Sequence, residues 1–238
     1  MKVVILAAGL GKRLGSLTAT LPKALLPVAG RPILDWQLSS LNRLGIPARD
    51  IIVVGGHQIE ALQSTLPSEV VLIFNPDYAT SNNIVSLYAA RKQITNQDFI
   101  LFNSDTLAHH RIIELVFKAN SLPTVVIDKS KPLVGEEMRV RVVGDQVLGF
   151  GKHLTNAQGE YIGIARFDAW SSALLFKEID DMVCHGLTGE WYEAAFDRLC
   201  RRIPVYATYT QGWPWIEIDD ANDLERAKSM WVPVAMEL

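Results

Sequence analysis

Cysteine is scarce in this chain, and long apolar runs and an excess of basic charge are missing from it. The two cysteines among the 238 residues, Cys184 and Cys200, have no metal-ligand spacing and make a disulfide framework unlikely, so a reducing cytoplasm is the expected location. No apolar run approaches the roughly 18 residues of a membrane helix. A formal net charge of −3 argues against a general nucleic-acid-binding protein. We therefore expect neither a membrane nor a nucleic acid as a partner.

Apolar residues are plentiful, at 49% of the chain, which is enough to bury a full core. Short β-branched runs alternate with helical patterns, as is typical of a mostly parallel sheet with helices on its faces. The first run, 3–6, is interpreted as a buried strand and not as a signal peptide, because it is short and Lys12-Arg13 follows it. The expected fold class is α/β, with a Rossmann-like mixed, mostly parallel sheet flanked by helices.

The expected elements follow one another without a linker or an internal repeat. They are strands at 3–6, 51–54, 70–74, 99–102, 124–127, 161–167, 203–208 and 215–218, helices at 32–45, 58–66, 84–94, 110–119, 170–182, 190–200 and from 220, and a small antiparallel hairpin at 138–143 and 147–151. One domain over 1–238 is the simplest account. We expect it to consist of a nucleotide-type half, 1–128, and a substrate half, 129–238.

The connection between the first strand and the first helix is long, glycine-rich and cationic. It has about 25 residues, whereas such connections normally take about 2–6. Gly9 and Gly11 allow backbone N–H groups to approach an anion closely. The spacing is not that of a Rossmann fingerprint, since Leu14 takes the third glycine position, nor that of a P-loop, since Arg13 replaces the hydroxyl residue. A merely flexible loop is the alternative, which the absence of any acidic residue before Asp35 disfavours.

Two blocks of this region, LAAGLGKRL and PKALLPVAGRPIL, resemble the signature of the nucleotidyltransferases that join a nucleoside triphosphate to a phosphorylated small molecule. That superfamily includes the sugar-1-phosphate nucleotidyltransferases and the cytidylyltransferases of phosphocholine and phosphonates. The resemblance extends over nearly the whole chain and implies the nucleotide-diphospho-sugar transferase fold. It implies that Arg13 binds the leaving pyrophosphate and that Lys23 lies by the α-phosphate. It also implies that base, ribose and triphosphate are held by the backbone of Leu6, Ala7, Ala8, Gly9 and Gly11.

The same resemblance implies Mg²⁺ held by two aspartates, and Asp105 and Asp219 are the matching residues. Each follows a predicted strand, so both are expected to point into the crevice beside the glycine loop. Such a cation neutralises charge on the α-phosphate while the acceptor attacks and pyrophosphate leaves. Either aspartate has the alternative of a turn or a helix N-cap, and of the pair we expect Asp220 to be the cap. No enzyme nucleophile is required, so Arg13, Lys23 and Asp105 are the predicted catalytic residues.

The segment NPDYATSNNIVSLYAAR resembles the cytidylyltransferases more than the sugar enzymes, which usually carry a small glycine-rich segment there. Asn83 and Ser86 are expected to hydrogen-bond a pyrimidine edge or the ribose, and Ser104 is counted with them as a nucleotide-binding residue. The alternative for Asn82-Asn83 is that they simply cap the following helix.

Aromatic and acidic residues cluster in GEWYEAAFDRL and GWPWIEID of the substrate half. Such a combination suits an ammonium group, and the resemblance to bacterial phosphocholine cytidylyltransferases implies a cage of this kind. Trp215 and Glu217 are the favoured acceptor-binding residues, followed by Glu190. Lys152, in GFGKHL, matches a superfamily lysine that contacts the acceptor's phosphate, or else is an exposed hairpin lysine. Trp191 and Trp213 are equally compatible with packing between helix and sheet.

Together these features predict a Mg²⁺-dependent cytidylyltransferase. It would transfer CMP from CTP to a small phosphorylated alcohol or phosphonate, such as a phosphocholine-like or 2-aminoethylphosphonate-like compound, and release pyrophosphate. A sugar-1-phosphate nucleotidyltransferase using UTP, dTTP or GTP is the nearest alternative. A non-catalytic nucleotide-sensing subunit is an alternative of another class. The oligomeric state, a homo-oligomer included, is left open.

Overall fold

A computed structural model describes residues 1–236 of the chain. The strands are β1 Lys2–Ala7, β2 Pro27–Val28, β3 Arg31–Pro32, β4 Ile51–Gly55, β5 Val71–Phe74, β6 Phe99–Asn103, β7 Thr106–Ala108, β8 Thr124–Asp128, β9 Arg139–Val143, β10 Gln146–Phe150, β11 Gly159–Phe167, β12 Val205–Tyr209 and β13 Trp215–Glu217. The helices are α1 Ile33–Arg43, α2 Ile59–Thr65, α3 Asn83–Ala89, α4 Arg91–Ile94, α5 His110–Phe117, α6 Ala169–Cys184, α7 Glu193–Cys200 and α8 Ala221–Ala235. Over this described range, no helix has the length and apolar character needed to cross a membrane.

Nine strands form one sheet in the order β5-β4-β1-β6-β11-β8-β12-β10-β9. The first four run parallel to one another, and β12 is parallel to β8. β11 is antiparallel to both β6 and β8, and the hairpin β9–β10 adds antiparallel pairs at the far edge. The α/β fold with a mixed sheet and an antiparallel hairpin is thereby confirmed.

Both faces of the sheet are buried. Along β1, Val4 and Leu6 face one apolar cluster while Val3 and Ile5 face the other, as expected of a strand covered on both sides. Helices α6 and α7 cover the first face, and α1 and α5 cover the second. The strand ends, and not the faces, are therefore where this architecture leaves room for a ligand.

Several boundaries differ from the predicted ones for local reasons. The helix predicted at 84–94 is two helices, because Ala90 leaves the helical path between α3 and α4. The helix predicted from 190 begins only at Glu193, and the backbone N–H of Tyr192, just before it, donates to the Asn83 side chain. β7 was not predicted, because its three residues form a strand only by pairing with the distant β13. Cys184 and Cys200 are both free, as the sequence predicts.

Candidate active site

A cleft of about 950 Å³ opens at the carboxyl ends of β1 and β6. Its walls come from the glycine loop after β1, the start of α3, the loop before β9, the outer part of β11 and the end of β13. Ligands of open α/β sheets bind at this end of the strands. The cleft is therefore the candidate active site.

The glycine loop forms the floor of the cleft, and Leu6, Ala7, Ala8, Gly9, Gly11 and Arg13 all line it. Gly11 has a φ of 62°, and a side chain there would meet Thr18 at 2.9 Å. The Thr18 hydroxyl also donates to the Gly11 carbonyl at 2.9 Å. The long connection is thus a built structure, with short 3₁₀ helices at Lys12–Thr18 and Lys23–Leu25.

Lys23 lies between Asp105 and Asp219, the two aspartates that are predicted to bind the metal. Its Nζ lies 2.7 Å from Asp105 Oδ2 and 2.9 Å from Asp219 Oδ1, and Arg13 Nη2 also lies 2.9 Å from Asp219 Oδ1. Burial opposes the Lys23 charge, but Asp105 and Asp219 outweigh it and raise its pKa. Burial likewise disfavours the Asp219 charge, but Lys23 and Arg13 hold the pKa of that carboxyl below its usual value. Lys23 and Asp219 are therefore both charged at neutral pH.

Asp105, Glu217 and Asp219 present carboxylate oxygens within 4.8 Å of one another. Asp105 Oδ1 is buried and has no hydrogen-bond partner within residues 1–236. Burial, together with the charges of Asp105 and Asp219, raises the pKa of Glu217 well above its usual value. A divalent cation with oxygen ligands would satisfy the orphaned oxygen and relieve the crowded negative charge, so the residues suit Mg²⁺. Asp220 caps α8 through the backbone N–H groups of residues 222 and 223, as predicted.

Apart from the glycine loop, the residues predicted to bind the nucleotide come from α3 and from the residue that follows β6. Asn82 caps α3, whereas Asn83 Oδ1 accepts from the backbone N–H of Tyr192. Ser86 is buried and its hydroxyl accepts from Asn75 at 3.0 Å. Asn83, Ser86 and Ser104 all line the cleft, so the structure brings these three together with the glycine loop.

On the substrate-half wall, two tryptophans each lie beneath a lysine. Lys131 Nζ is 4.5 Å from the centre of the Trp215 ring, and Lys152 Nζ is 4.2 Å from that of Trp191. Glu190, in contrast, is exposed and does not line the cleft. Trp213 is also elsewhere, since its ring stacks on His109 at 4.7 Å. Of the predicted acceptor residues, Lys152, Trp215 and Glu217 reach the cleft and Glu190 does not.

Asp128 is a buried carboxylate that the sequence analysis missed. It accepts four hydrogen bonds, from the backbone N–H and hydroxyl of Ser130, the hydroxyl of Thr210 and the Trp215 indole N–H. Burial alone would raise its pKa, but these donors lower it. Asp128 therefore fixes both Trp215 and the start of the loop that carries Lys131. Asp128 ends β8 much as Asp105 follows β6, and an acidic residue at the carboxyl end of a strand is a sequence pattern that predicts a position near the ligand site.

Two more unpredicted carboxyls line the cleft, Glu160 on β11 and Glu193 at the start of α7. Burial raises the pKa of each to about 7. Glu193 Oε2 has no hydrogen-bond partner among the residues described. Glu193 belongs to the aromatic and acidic cluster of GEWYEAAFDRL, although Glu190 was preferred there, whereas the sequence gave no signal for Glu160.

A family model described as the MobA-like NTP transferase domain matches residues 3–148, more than half of the chain. The chain belongs to this family. The matched region contains the glycine loop, Lys23 and Asp105 but ends before Glu160, so the family model covers the nucleotide side of the cleft more fully than the other side.

Two curated relatives are each similar to part of the chain. CMP-5'-(3-aminopropyl)phosphonate synthase of Streptomyces rubellomurinus is 34% identical over 150 residues, which are 60% of this chain and 23% of that protein. Choline-phosphate cytidylyltransferase of Streptococcus pneumoniae is 40% identical over 97 residues, which are 40% of this chain and 42% of that protein. In these matches the chain spans less than half of each relative's length.

Among solved structures, the CTP:phosphocholine cytidylyltransferase of Streptococcus pneumoniae superimposes with a TM-score of 0.75 at 26% identity, covering 96% of this chain and 98% of that one. The inositol-1-phosphate CTP transferase of T. maritima gives a TM-score of 0.79 at 18% identity, covering 97% and 96%. The second likeness shows the fold alone, which is the nucleotidyltransferase fold expected from the sequence.

Proposed function

We propose that this protein is a Mg²⁺-dependent cytidylyltransferase that transfers CMP from CTP to a small phosphorylated alcohol or phosphonate bearing an ammonium group. The observation that carries the proposal is the arrangement of Lys23 between Asp105 and Asp219, beside a glycine loop in one cleft. The relatives named above, which are a CMP-phosphonate synthase and choline-phosphate cytidylyltransferases, support CTP as the donor and this acceptor class.

In the proposed reaction the glycine loop binds the triphosphate through its backbone N–H groups, while Asn83, Ser86 and Ser104 bind the base and ribose. Arg13 faces the pyrophosphate, and Lys23 faces the α-phosphate. An ammonium placed there offsets the negative charge that develops as the new bond forms, in a partly buried site where that interaction is strong. A divalent cation held by Asp105, Glu217 and Asp219 would supply further neutralisation of the same charge.

The acceptor's phosphate or phosphonate oxygen attacks the α-phosphorus, and the bond from that phosphorus to the β-phosphate oxygen breaks, so pyrophosphate leaves. Lys152 holds the attacking group from the substrate-half wall. No proton transfer to an enzyme group is needed, because the acceptor oxygen is already anionic at neutral pH. Catalysis then consists of bringing two polyanions together in the right orientation.

The chain is proposed to work as one unit, with 1–128 binding the nucleotide and 129–238 binding the acceptor. The support is that residues from both parts line the same cleft. The glycine loop comes from residues 1–128 and the lysine–tryptophan pairs come from residues 129–238, so both parts are needed to form the cleft.

The test is a substrate screen with the full chain and Mg²⁺. CTP, UTP, dTTP and GTP are each combined with phosphocholine, 2-aminoethylphosphonate, inositol-1-phosphate and glucose-1-phosphate, and pyrophosphate release is measured. We expect release with CTP and the aminated acceptors. Turnover confined to glucose-1-phosphate would instead establish the sugar-nucleotidyltransferase alternative. Nucleotide binding without any turnover would establish the sensing-subunit alternative.

A further inference from the structure

The two tryptophans of the cleft are already covered by cations of the protein itself. Lys131 lies over Trp215 and Lys152 over Trp191, each at a distance typical of a cation–π contact. Trp215 is only 6% exposed, and it packs into the apolar cluster that contains Ile100 and Ala108. Little of its ring is therefore open to a ligand.

This matters because the two kinds of ammonium group are recognised differently. A quaternary ammonium has no N–H donor and depends on open aromatic faces and on charge alone. A primary ammonium has three N–H donors and binds best to a carboxylate that has no other partner. Trp215 is nearly closed, and Trp191, although 40% exposed, already has Lys152 over its ring, so the cleft is poorly suited to the first kind.

Glu160 is the carboxylate that suits the second kind. Its side chain makes no hydrogen bond or ion pair with any residue in 1–236, although Lys131 lies near enough to favour its charge. The neighbouring acids are already engaged: Glu137 accepts from the backbone N–H groups of residues 134 and 135, and Asp128 accepts four hydrogen bonds. Burial raises the pKa of Glu160 to about 7, as expected for a carboxyl short of a cationic partner.

We propose that the acceptor carries a primary ammonium held by Glu160, and that Lys131, lying on Trp215, excludes a trimethylammonium group from the same place. This inference rests on the proposed function, since it concerns the acceptor of that reaction. It selects aminoalkyl phosphates and phosphonates over phosphocholine.

Phosphoethanolamine and phosphocholine differ only in the three methyl groups on nitrogen and so make the decisive pair. With CTP and Mg²⁺, we expect kcat/KM to be at least about tenfold higher for phosphoethanolamine, as for one hydrogen bond to a charged group. Equal or better use of phosphocholine overturns the proposal.

Variants test the two residues separately. Glu160→Gln is expected to lower kcat/KM for phosphoethanolamine by about tenfold or more, with little change for phosphocholine and an unchanged KM for CTP. Glu69→Gln, the same chemical change at an exposed glutamate away from the cleft, is the matched control.

Lys131→Ala uncovers Trp215 and is expected to raise the use of phosphocholine relative to phosphoethanolamine. Unchanged ratios in both Glu160→Gln and Lys131→Ala would contradict the assignment.

Calorimetric titration of each acceptor into the full chain separates this inference from the proposed function. Tighter binding of phosphoethanolamine supports the inference even where no pyrophosphate is released, and a missing release then counts against the proposed function alone. Equal binding together with brisk CTP turnover overturns the inference and leaves the proposed function in place.

Discussion

The two sides of the cleft differ in how their buried charges are paired. Beside the glycine loop, on the proposed phosphate side, Lys23 and Arg13 form ion pairs with Asp105 and Asp219, whereas on the proposed acceptor side Glu160 and Glu193 form none with any residue in 1–236. Lys23 lies 2.7 and 2.9 Å from two aspartates. Glu160 and Glu193 have no ion-pair partner within the described part of the chain, and the pKa of each is raised to about 7. The ion pairs of Lys23 are thus already formed within the protein, whereas Glu160 and Glu193 could each form an ion pair with a cationic substrate.

Under the proposed function, we expect this difference to separate the residues that determine the reaction from those that determine its substrate. A network already in place costs little reorganisation when charge develops, which is how electrostatic catalysis works. Buried carboxylates without an ion-pair partner favour the binding of a cationic ligand, because burial makes an unpaired negative charge unfavourable. We therefore expect damage to the first wall to abolish the chemistry and damage to the second to alter selectivity.

The largest effect is expected from breaking the network on the phosphate side. Lys23→Ala and Asp105→Asn should each lower kcat by about a hundredfold or more, as for loss of a transition-state charge contact. Lys2→Ala is the matched control, since Lys2 makes a similar ion pair with Asp50 away from the cleft. Pyrophosphate release measures the rate, and circular dichroism verifies folding. Near-normal turnover in Lys23→Ala or Asp105→Asn would remove that residue from the mechanism.

Glu217→Gln tests whether Glu217 helps to bind Mg²⁺ or binds the acceptor. Its carboxylate lies with Asp105 and Asp219, so we expect a higher Mg²⁺ requirement and a kcat reduced by about tenfold or more. A Mg²⁺ titration of the rate measures both. The sequence-based assignment of Glu217 to the acceptor predicts a different outcome, in which only the KM of a cationic acceptor rises.

A smaller and selective effect is expected from Asp128→Asn. An amide cannot accept from Ser130, Thr210 and Trp215 together, so the Trp215 ring and the Lys131 loop lose their anchor. We expect a severalfold rise in acceptor KM, an unchanged KM for CTP, and a loss of about 1–3 kcal/mol in the free energy of unfolding. Trp215→Phe removes the indole N–H donor together with part of the buried ring and should reproduce part of the change. Equal effects on both substrates would show that Asp128 acts on the whole fold.

The smallest effect concerns stability against pH. Because the pKa of Glu193 is about 7 in the fold and about 4.3 in an unfolded chain, the folded state binds more protons between these values. Stability from this group is present at low pH and is lost as pH rises through about 7. Glu193→Gln should therefore melt at a higher temperature than the parent at pH 8, with little difference at pH 4. A constant difference across that range would contradict the shifted pKa.

The phosphate side was largely predictable from sequence, because its residues lie in short blocks of distinctive spacing. The glycine loop, Lys23 and Asp105 follow β1 and β6, and adjacent parallel strands place them together. Asp220 caps α8 as predicted, and Asp219 lines the cleft, while its assignment as a metal ligand stays a prediction.

The acceptor side was less predictable for a physical reason. Lys131 and Trp215 are 84 positions apart, and their contact depends on Asp128 holding both segments, which no local pattern reveals. Glu193 lies on the same buried face of α7 as Phe196 and Leu199, where a charged residue is unexpected, but its spacing alone does not show that this face borders the cleft. Glu190 directly precedes Trp191, which lines the cleft, but Glu190 itself is exposed and does not line it.

β11 has a consequence for whether the chain can be divided. It comes from the acceptor half, yet in the sheet it lies between β6 and β8, both from the nucleotide half. A fragment of residues 1–128 would leave the edges of those two strands unpaired, and a fragment of 129–238 would lack both neighbours of its longest strand. We expect neither fragment to fold alone and the two to regain structure only when mixed. The proposed division of labour between CTP and the acceptor would then depend on two parts of the chain that fold only together.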